Sequence, residues 1–254
     1  MSTSSVYDEL YADGYRDRLS GFEFARWEAL AHLIPQVLKL GSAEKVLDYG
    51  AGSGLHVDLW QKIFPQAELH FCDISSVAMQ KFQAKYPEYA DRYYLLNGPQ
   101  LDGMDNRFDV IVSVEVMEHV ENLDSYLRDI NRLLKPGGYF VWTTPCGNRF
   151  SIEHLFSAVT GKIERTKEGY RRWTWEDRTH VRRLRSGEIG TLLRQRGFSR
   201  VCFRFRSHFF SFVCTYFPTR RAQQLRNRLM TMDYSLFRLL PNGASMVGGA
   251  KKSP

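Results

Sequence analysis

The stretch Val46-Leu47-Asp48-Tyr49-Gly50-Ala51-Gly52-Ser53-Gly54 constrains this chain more than any other. An apolar run ends in an acid, glycines follow at alternate positions, and a helix is predicted to open at Leu55. An apolar run without alternation reads as a parallel strand buried on both faces. Glycine lets the backbone turn tightly and leaves no side chain between main chain and ligand. The N–H groups that open the following helix favour a negative group beside them. A plain strand-to-helix turn needs one glycine; three at alternate positions point to a turn built around a small polar ligand.

The rest of the first half repeats that unit. Tyr7, Leu10, Tyr11 and Tyr15 share a helical spacing, as do Phe24, Trp27, Leu30 and Leu33, with Pro35 near the end of the second helix. Residues 1–40 are therefore expected to be helical and to fold over the ligand turn as a lid. Strands are expected at Lys45–Tyr49, Glu68–Cys72, Arg92–Leu96, Phe108–Ser113 and Tyr139–Thr143. Ser75 or Ser76 can cap a helix running to about Tyr86. Asn122 can cap one whose Leu123, Tyr126, Leu127, Ile130, Leu133 and Leu134 follow the helical period before Pro136-Gly137-Gly138. Strand and helix in alternation predict an α/β fold: a mostly parallel sheet with helices on both faces. Ligands of such sheets bind at the carboxyl ends of the strands, near the switch point. The glycine turn, Asp73, the segment after Ser113 and the segment after Thr144 should then meet at one crevice. Beyond Pro145 the pattern loosens. Helices are expected at Phe150–Thr160 and Ser186–Arg196 and over much of Ser207–Leu240, with strands at Val201–Arg206 and Ala244–Ala250.

Two nucleotide-containing ligands compete for the turn. A nicotinamide dinucleotide prefers G-x-G-x-x-G with pyrophosphate at the helix start. Here the spacing is G-x-G-x-G, and Asp48 just ahead of it would repel pyrophosphate but suit an ammonium group. Asp73, ending the second strand, is placed to accept hydrogen bonds from a ribose diol. A ligand with an amino-acid end and a ribose fits both acids, and S-adenosylmethionine is such a ligand.

Four stretches in order then resemble the successive motifs of the class I S-adenosylmethionine-dependent methyltransferases: the glycine motif, Asp73, Phe108–Val120 (FDVIVSVEVMEHV) and Leu134–Pro145 (LKPGGYFVWTTP). The resemblance covers about Lys45 to Phe205. It implies a Rossmann-like, seven-stranded sheet whose last strand, near Met246, lies antiparallel between two others, with helical insertions at 146–180 and 207–240 of a domain spanning 41–254. Candidate cofactor-binding residues are Asp48, Gly50, Gly52, Gly54, Asp73, Ile74 and Ser113. Asn97-Gly98 stands where the family often carries an acid near the adenine. Within the class the chain is most similar to the ubiquinone-pathway O-methyltransferases, which share Glu-x-x-Glu-His after the fourth strand (Glu115, Glu118, His119) and a Thr-His before a late helix (Thr179, His180). Small-RNA 2′-O-methyltransferases carry a similar pattern and a Thr-Thr-Pro like Thr143-Thr144-Pro145.

For a hydroxyl acceptor the protein must position the reactants and remove a proton. His119 is the candidate base, assisted by Glu118, because an imidazole titrates near neutrality; the alternative is that the pair only organises a helix start. If residues 115–119 form a helical turn, Glu115, Glu118 and His119 share one face. The resemblance brings His180 to the same crevice. Two carboxylates and two imidazoles form a candidate site for a divalent metal, with magnesium, manganese and zinc all compatible.

Composition narrows the setting. Residues 1–145 carry 13 Lys and Arg against 21 Asp and Glu, and the remainder 22 against 7, so a net −8 precedes a net +15. A basic second half suits an anionic substrate, a membrane surface or nucleic acid, or is simply a solvated surface. Arg171, Arg172, Trp173 and Trp175 permit RNA stacking, but no separate RNA-binding module is visible. Phe209, Phe210, Phe212, Val213, Tyr216 and Phe217, followed by Arg220, Arg221, Arg226 and Arg228, suit peripheral membrane contact or a helical cover over a substrate pocket. Four scattered cysteines without a CxxC pair suit reduced thiols. The acidic first twenty residues argue against a secretory signal, so a cytoplasmic setting is expected. The sequence thus predicts a methyltransferase using S-adenosylmethionine on the oxygen of a small-molecule or lipid-like acceptor. An RNA 2′-O-methyltransferase and a non-catalytic cofactor-binding protein are the alternatives.

Overall fold

A computed structural model describes residues 3–15, 21–37, 43–96, 101–166, 169–210 and 222–254. Two helices, α1 (Thr3–Ala12) and α2 (Gly21–Val37), precede β1 (Lys45–Tyr49), α3 (Val57–Ile63), β2 (Glu68–Asp73), α4 (Ser76–Lys85), β3 (Tyr93–Leu95), β4 (Phe108–Val114), α5 (Leu123–Leu133) and β5 (Leu134–Pro145). Then come α6 (Ile152–Val159), a short hairpin of β6 (Ile163–Arg165) and β7 (Arg171–Trp173), α7 (Ser186–Gln195), β8 (Phe198–Arg206), α8 (Ala222–Phe237) and β9 (Ser245–Lys252).

Seven strands form one sheet in the order β3-β2-β1-β4-β5-β9-β8. β1 to β5 pair in parallel, and β9 runs antiparallel between β5 and β8. This is the mostly parallel sheet that the alternation of strand and helix predicts, with the seven strands that the family resemblance implies. The switch point falls between β1, which leads outward to β2 and β3, and β4, which begins the other half. Both faces are covered, which explains why the strands are almost continuously apolar. On β4, Ile111 faces a core built with Leu127 and Ile130 of α5 and Leu193 of α7. Val110, Val112 and Val114 face a second core with Leu30 and Leu33 of α2, Trp60 of α3 and Phe82 of α4.

Local signals place the helices. Ser75 accepts the N–H of Ala78 to cap α4, and Asn122 accepts that of Ser125 to cap α5. α3 opens at Val57 rather than Leu55, because residues 52–56 are spent in turns. Pro35 lies inside α2, which continues only to Val37. α2 packs into the core, whereas α1 lies at the edge of the cavity described below. The β6–β7 hairpin is a feature that the aromatic and basic composition of 162–178 does not announce. Asn97-Gly98 and residues 211–221 of the expected membrane segment lie outside the described residues. No helix among the described residues is long and apolar enough to cross a membrane.

Candidate functional site

The glycine turn is tied to the end of β2: the N–H groups of Gly50 and Ala51 both donate to the carbonyl of Cys72, at 2.8 and 2.9 Å. Gly50, Gly52 and Gly54 all have positive φ, at +88°, +56° and +86°. Each is also closely approached, and by a different neighbour. A Cβ on Gly50 would strike Val116, one on Gly52 the hydroxyl of Tyr11, and one on Gly54 the rings of Phe82 and Tyr86. The third glycine therefore serves helix packing, and the first two admit groups from the cavity side.

Two acids flank the turn. Asp48 is buried; its Oδ2 accepts the indole N–H of Trp60 at 2.6 Å, and its Oδ1 has no hydrogen-bond partner among the described residues. Burial pushes its pKa up to about 7 against the pull of the Trp60 hydrogen bond, with the charge of Asp73 adding to the rise. Asp73 accepts the Gly52 N–H on Oδ2 at 2.9 Å and the Ser75 N–H on Oδ1 at 3.0 Å. Its carboxylate is thus held in one orientation by the turn and by the start of α4.

A cavity of about 410 Å³ opens at the carboxyl ends of β1, β2 and β4. Gly50, Asp73, Ile74, Leu96, Glu115 and His119 line it, and Tyr7, Tyr11 and Tyr15 of the N-terminal segment form one wall. Three of the four segments expected to meet do so. The segment after Thr144 is not part of the lining and joins from behind, where the Thr144 hydroxyl donates to Glu118 at 3.1 Å. Ser113 does not line the cavity. Its hydroxyl is buried, donates to the Tyr49 carbonyl at 2.9 Å and accepts from Tyr126 at 2.8 Å, so it joins β1, β4 and α5. Asp48 and Gly52 stand just behind the lining.

The turn after β4 departs from the helical expectation. Glu115 adopts φ +54°, and residues 117–119 form a single turn rather than a helix. Glu115 is thereby separated from Glu118 and His119. It ion-pairs with Arg26 of α2 at 3.1 Å and accepts the Thr143 hydroxyl at 2.8 Å. Of the four candidate metal ligands, Glu118, His119 and His180 bring one ligand atom each within 4.8 Å of one another, and Glu115 is not among them.

The 146–180 insertion does reach His119. The ring centroids of His119 and His180 lie 4.7 Å apart, and Val181 N–H donates to the Glu118 carbonyl at 2.9 Å. His119 Nδ1 lies 3.0 Å from the Thr179 hydroxyl, which donates to Asp177 at 2.7 Å. Burial opposes ionisation of Asp177, but hydrogen bonds from Thr179 outweigh it and hold the acid below its usual range. An ionised Asp177 only accepts, so Thr179 gives its proton to Asp177 and accepts from His119 Nδ1–H. This assigns Nε2 as the ring nitrogen that can take a proton. His180 sits 3.2 Å from Glu176, which also binds Arg183. Burial disfavours the His180 cation, yet the Glu176 hydrogen bond and the charges of Glu118, Glu176 and Glu115 raise its pKa overall.

Sequence reasoning missed Arg26, Asp177 and Arg182. The last is buried, and its guanidinium donates to the carbonyls of Val120 and Glu121, fixing the exit from the His119 turn. Only Asp177 carried a signal, since Asp-x-Thr favours an Asx turn in which the acid accepts the N–H two residues on.

The methyltransferase-domain family model matches residues 22–202. The chain belongs to that family. With its seven-stranded sheet it is a class I S-adenosylmethionine-dependent methyltransferase. Among curated proteins it is similar to the hybrid PKS-NRPS synthetase tasS of Hapsidospora irregularis, 28% identical over 162 residues that make up 58% of this chain and 4% of that protein. It is also similar to the ubiquinone biosynthesis O-methyltransferase of Bradyrhizobium sp., 29% identical over 103 residues, 41% of this chain and 40% of that protein. The methyltransferase thus spans a small fraction of the first relative and under half of the second. Among solved structures, phosphoethanolamine N-methyltransferase 2 of Haemonchus contortus, bound to phosphomonomethylethanolamine and S-adenosylhomocysteine, aligns with a TM-score of 0.67 at 14% identity, covering 100% of this chain and 61% of that one. That likeness is one of fold.

The residues around the turn suit the family's cofactor. A buried carboxylate oxygen without a partner among the described residues, a second carboxylate at the cavity wall and a backbone that no Cβ crowds are the features that a ligand with an ammonium group and a ribose needs. The surface that would stack RNA is less complete than the sequence suggests. Trp173 is fully buried, Arg171 donates to the Gly147 carbonyl, and Arg172 lies 3.8 Å from Glu164. Trp175 is the exposed aromatic of the four.

Proposed function

We propose that the methyltransferase transfers a methyl group from S-adenosylmethionine to an oxygen of a small-molecule or lipid-like acceptor, with His119 taking the hydroxyl proton. The observation that carries this reading is the Asp177–Thr179–His119 chain of hydrogen bonds, which ends on a cavity-lining imidazole. When bound, the cofactor supplies a methyl group on a positively charged sulfur. Gly50, Gly52, Asp73 and Ile74 would hold it, with Asp48 behind the turn supplying negative charge for the ammonium group. His119 Nε2 accepts the acceptor's proton as the new oxygen–carbon bond forms. The Glu118 carboxylate, 3.8 Å from Nε2, stands as counter-charge to the imidazolium. The aromatic wall and the two curated relatives named above support a small organic acceptor; burial of Trp173 weighs against RNA.

A metal-assisted version rests on a second observation, the convergence of Glu118, His119 and His180. One carboxylate and two imidazoles fit manganese or zinc, and magnesium less well. A cation there would lower the pKa of an acceptor hydroxyl and direct it toward the methyl group.

The test is incubation of wild type and His119→Gln with methyl-labelled cofactor and cell extract, before and after exhaustive chelation. Labelled product from wild type that disappears in His119→Gln, with cofactor binding retained, supports the reading. Full activity in His119→Gln contradicts the base. Full activity in chelator, with no metal found by elemental analysis, removes the metal. Tight cofactor binding with no labelled product from any fraction favours a non-catalytic binding protein.

A further inference from the structure

The cofactor carboxylate Asp73 is held by a residue that is itself held from outside the sheet. Ser75 is fully buried, and three of its hydrogen bonds tie Asp73, α4 and α1 together. Its N–H donates to Asp73 at 3.0 Å, its Oγ accepts the Ala78 N–H at 3.1 Å, and its single hydroxyl proton goes to Asp8 of α1 at 2.6 Å. Asp8 also accepts the Val77 N–H at 3.2 Å and lies 3.4 Å from the Ser76 hydroxyl. A carboxylate from another helix, 67 residues away in sequence from Ser75, thus completes the cap of α4. Negative charge is favoured there by the helix dipole and by unpaired N–H groups. The hydrogen bond from Ser75 holds Asp8 below its usual carboxylate pKa, so it is ionised at neutral pH.

The same contact seats α1. Tyr7 and Tyr11 stand one residue before and three after Asp8, and both line the cavity. The Tyr11 hydroxyl rests against Gly52, and the Tyr11 carbonyl accepts Lys81 Nζ of α4 at 2.5 Å. Gly52 in turn donates its N–H to Asp73, and its carbonyl accepts the Tyr93 hydroxyl. Asp8, Ser75, Asp73, Gly52 and Tyr11 therefore close a loop of contacts between α1, the start of α4, the end of β2 and the glycine turn. Release of Asp8 frees the Ser75 hydroxyl to rotate, loosens one of the two N–H groups that orient Asp73, and unseats the tyrosine wall at once.

We propose that Asp8 is a positioning residue for the cofactor: through Ser75 it fixes Asp73, and through α1 it holds Tyr7 and Tyr11 over the glycine turn. Asp8 does not touch the cofactor in this account. Its effect falls on how long the cofactor stays, because the orientation of Asp73 and the seating of Tyr7 and Tyr11 act on the ligand once it is bound.

The test is stopped-flow measurement of S-adenosylhomocysteine association and dissociation for wild type, Asp8→Ala, Asp8→Asn and the exposed neighbour variant Glu9→Ala, each checked for folding by circular dichroism. Asp8→Ala should dissociate about tenfold faster, equivalent to ~1.4 kcal/mol and within the range of a lost helix cap. Its association rate should stay within about twofold of wild type, since a freed α1 opens no new route to the ligand. Asp8→Asn keeps an acceptor oxygen for Ser75 and should recover most of the residence time; Glu9→Ala should match wild type. Faster amide exchange at Ser75 and Gly52 in Asp8→Ala would locate the change at Asp73. A folded Asp8→Ala that melts earlier yet releases the ligand at the wild-type rate would reduce Asp8 to a structural cap and overturn the proposal. Equal acceleration in Glu9→Ala would overturn it as well.

Discussion

Asp48→Asn isolates a buried charge held against its desolvation cost beside the glycine turn. Burial raises the pKa of Asp48 from the ordinary 3.8 to about 7. Between those values the unfolded chain is ionised while the folded chain keeps its proton, so this group lowers stability progressively as pH rises through that window. Above it the full penalty is present, about 4 kcal/mol for a rise of that size. An asparagine still offers an oxygen to the Trp60 indole. Its amide and a protonated carboxyl both place a donor where Oδ1 now sits, so the substitution is close to neutral near pH 4. At pH 8 the ligand-free variant should be about 3–4 kcal/mol more stable than wild type, with the difference growing across the window. Urea unfolding at half-unit steps from pH 4 to 8 measures it directly. The same variant should bind S-adenosylmethionine more weakly, by about 1–3 kcal/mol, since a charge-assisted contact is lost. A variant that tracks wild type within about 0.5 kcal/mol at every pH, a typical surface-substitution effect, would refute the claim that a buried carboxylate is kept here against its stability.

Gly52→Ala combines a disfavoured φ of +56° with a clash against the Tyr11 hydroxyl. It should destabilise by about 1–3 kcal/mol and expose α1 to limited proteolysis, and an intact α1 with wild-type unfolding would contradict the packing described. Arg26→Met removes one ion-pair partner of the buried Glu115, whose charge is also felt by Arg206, and should lower stability by about 1–3 kcal/mol in denaturant unfolding. Adding Glu115→Gln should recover a large part of that loss, and no recovery would show that the two residues are not coupled.

What was legible in the sequence is what depends on local order. Strand ends, caps and the glycine turn rest on neighbours within a few residues, and Ser75, Asn122 and Asp73 fall where their local chemistry demands. Whether an acid faces a ligand or another chain segment is decided by tertiary contacts. Glu115 illustrates this: its spacing from Glu118 and His119 suits one helical face, but Arg26 arrives from 89 positions earlier and a left-handed backbone turns it away. Ser113 sits at a ligand-bearing strand end, yet Tyr126 claims its hydroxyl. The identical appearance of the three glycines hides three different packing partners. His180 reaching His119 was readable only through resemblance, because the insertion between β5 and α7 has no periodicity that fixes its path.

Isothermal titration of S-adenosylmethionine into wild type and a folded Asp73→Ala variant tests the central claim, that the cofactor lies across the glycine turn against this acid. Binding to wild type and a loss of about 1–3 kcal/mol in the variant are expected, the latter being that of a charge-assisted hydrogen bond to a ribose hydroxyl. Equal affinity in both proteins, or tight binding of NADH with none of S-adenosylmethionine, would contradict it.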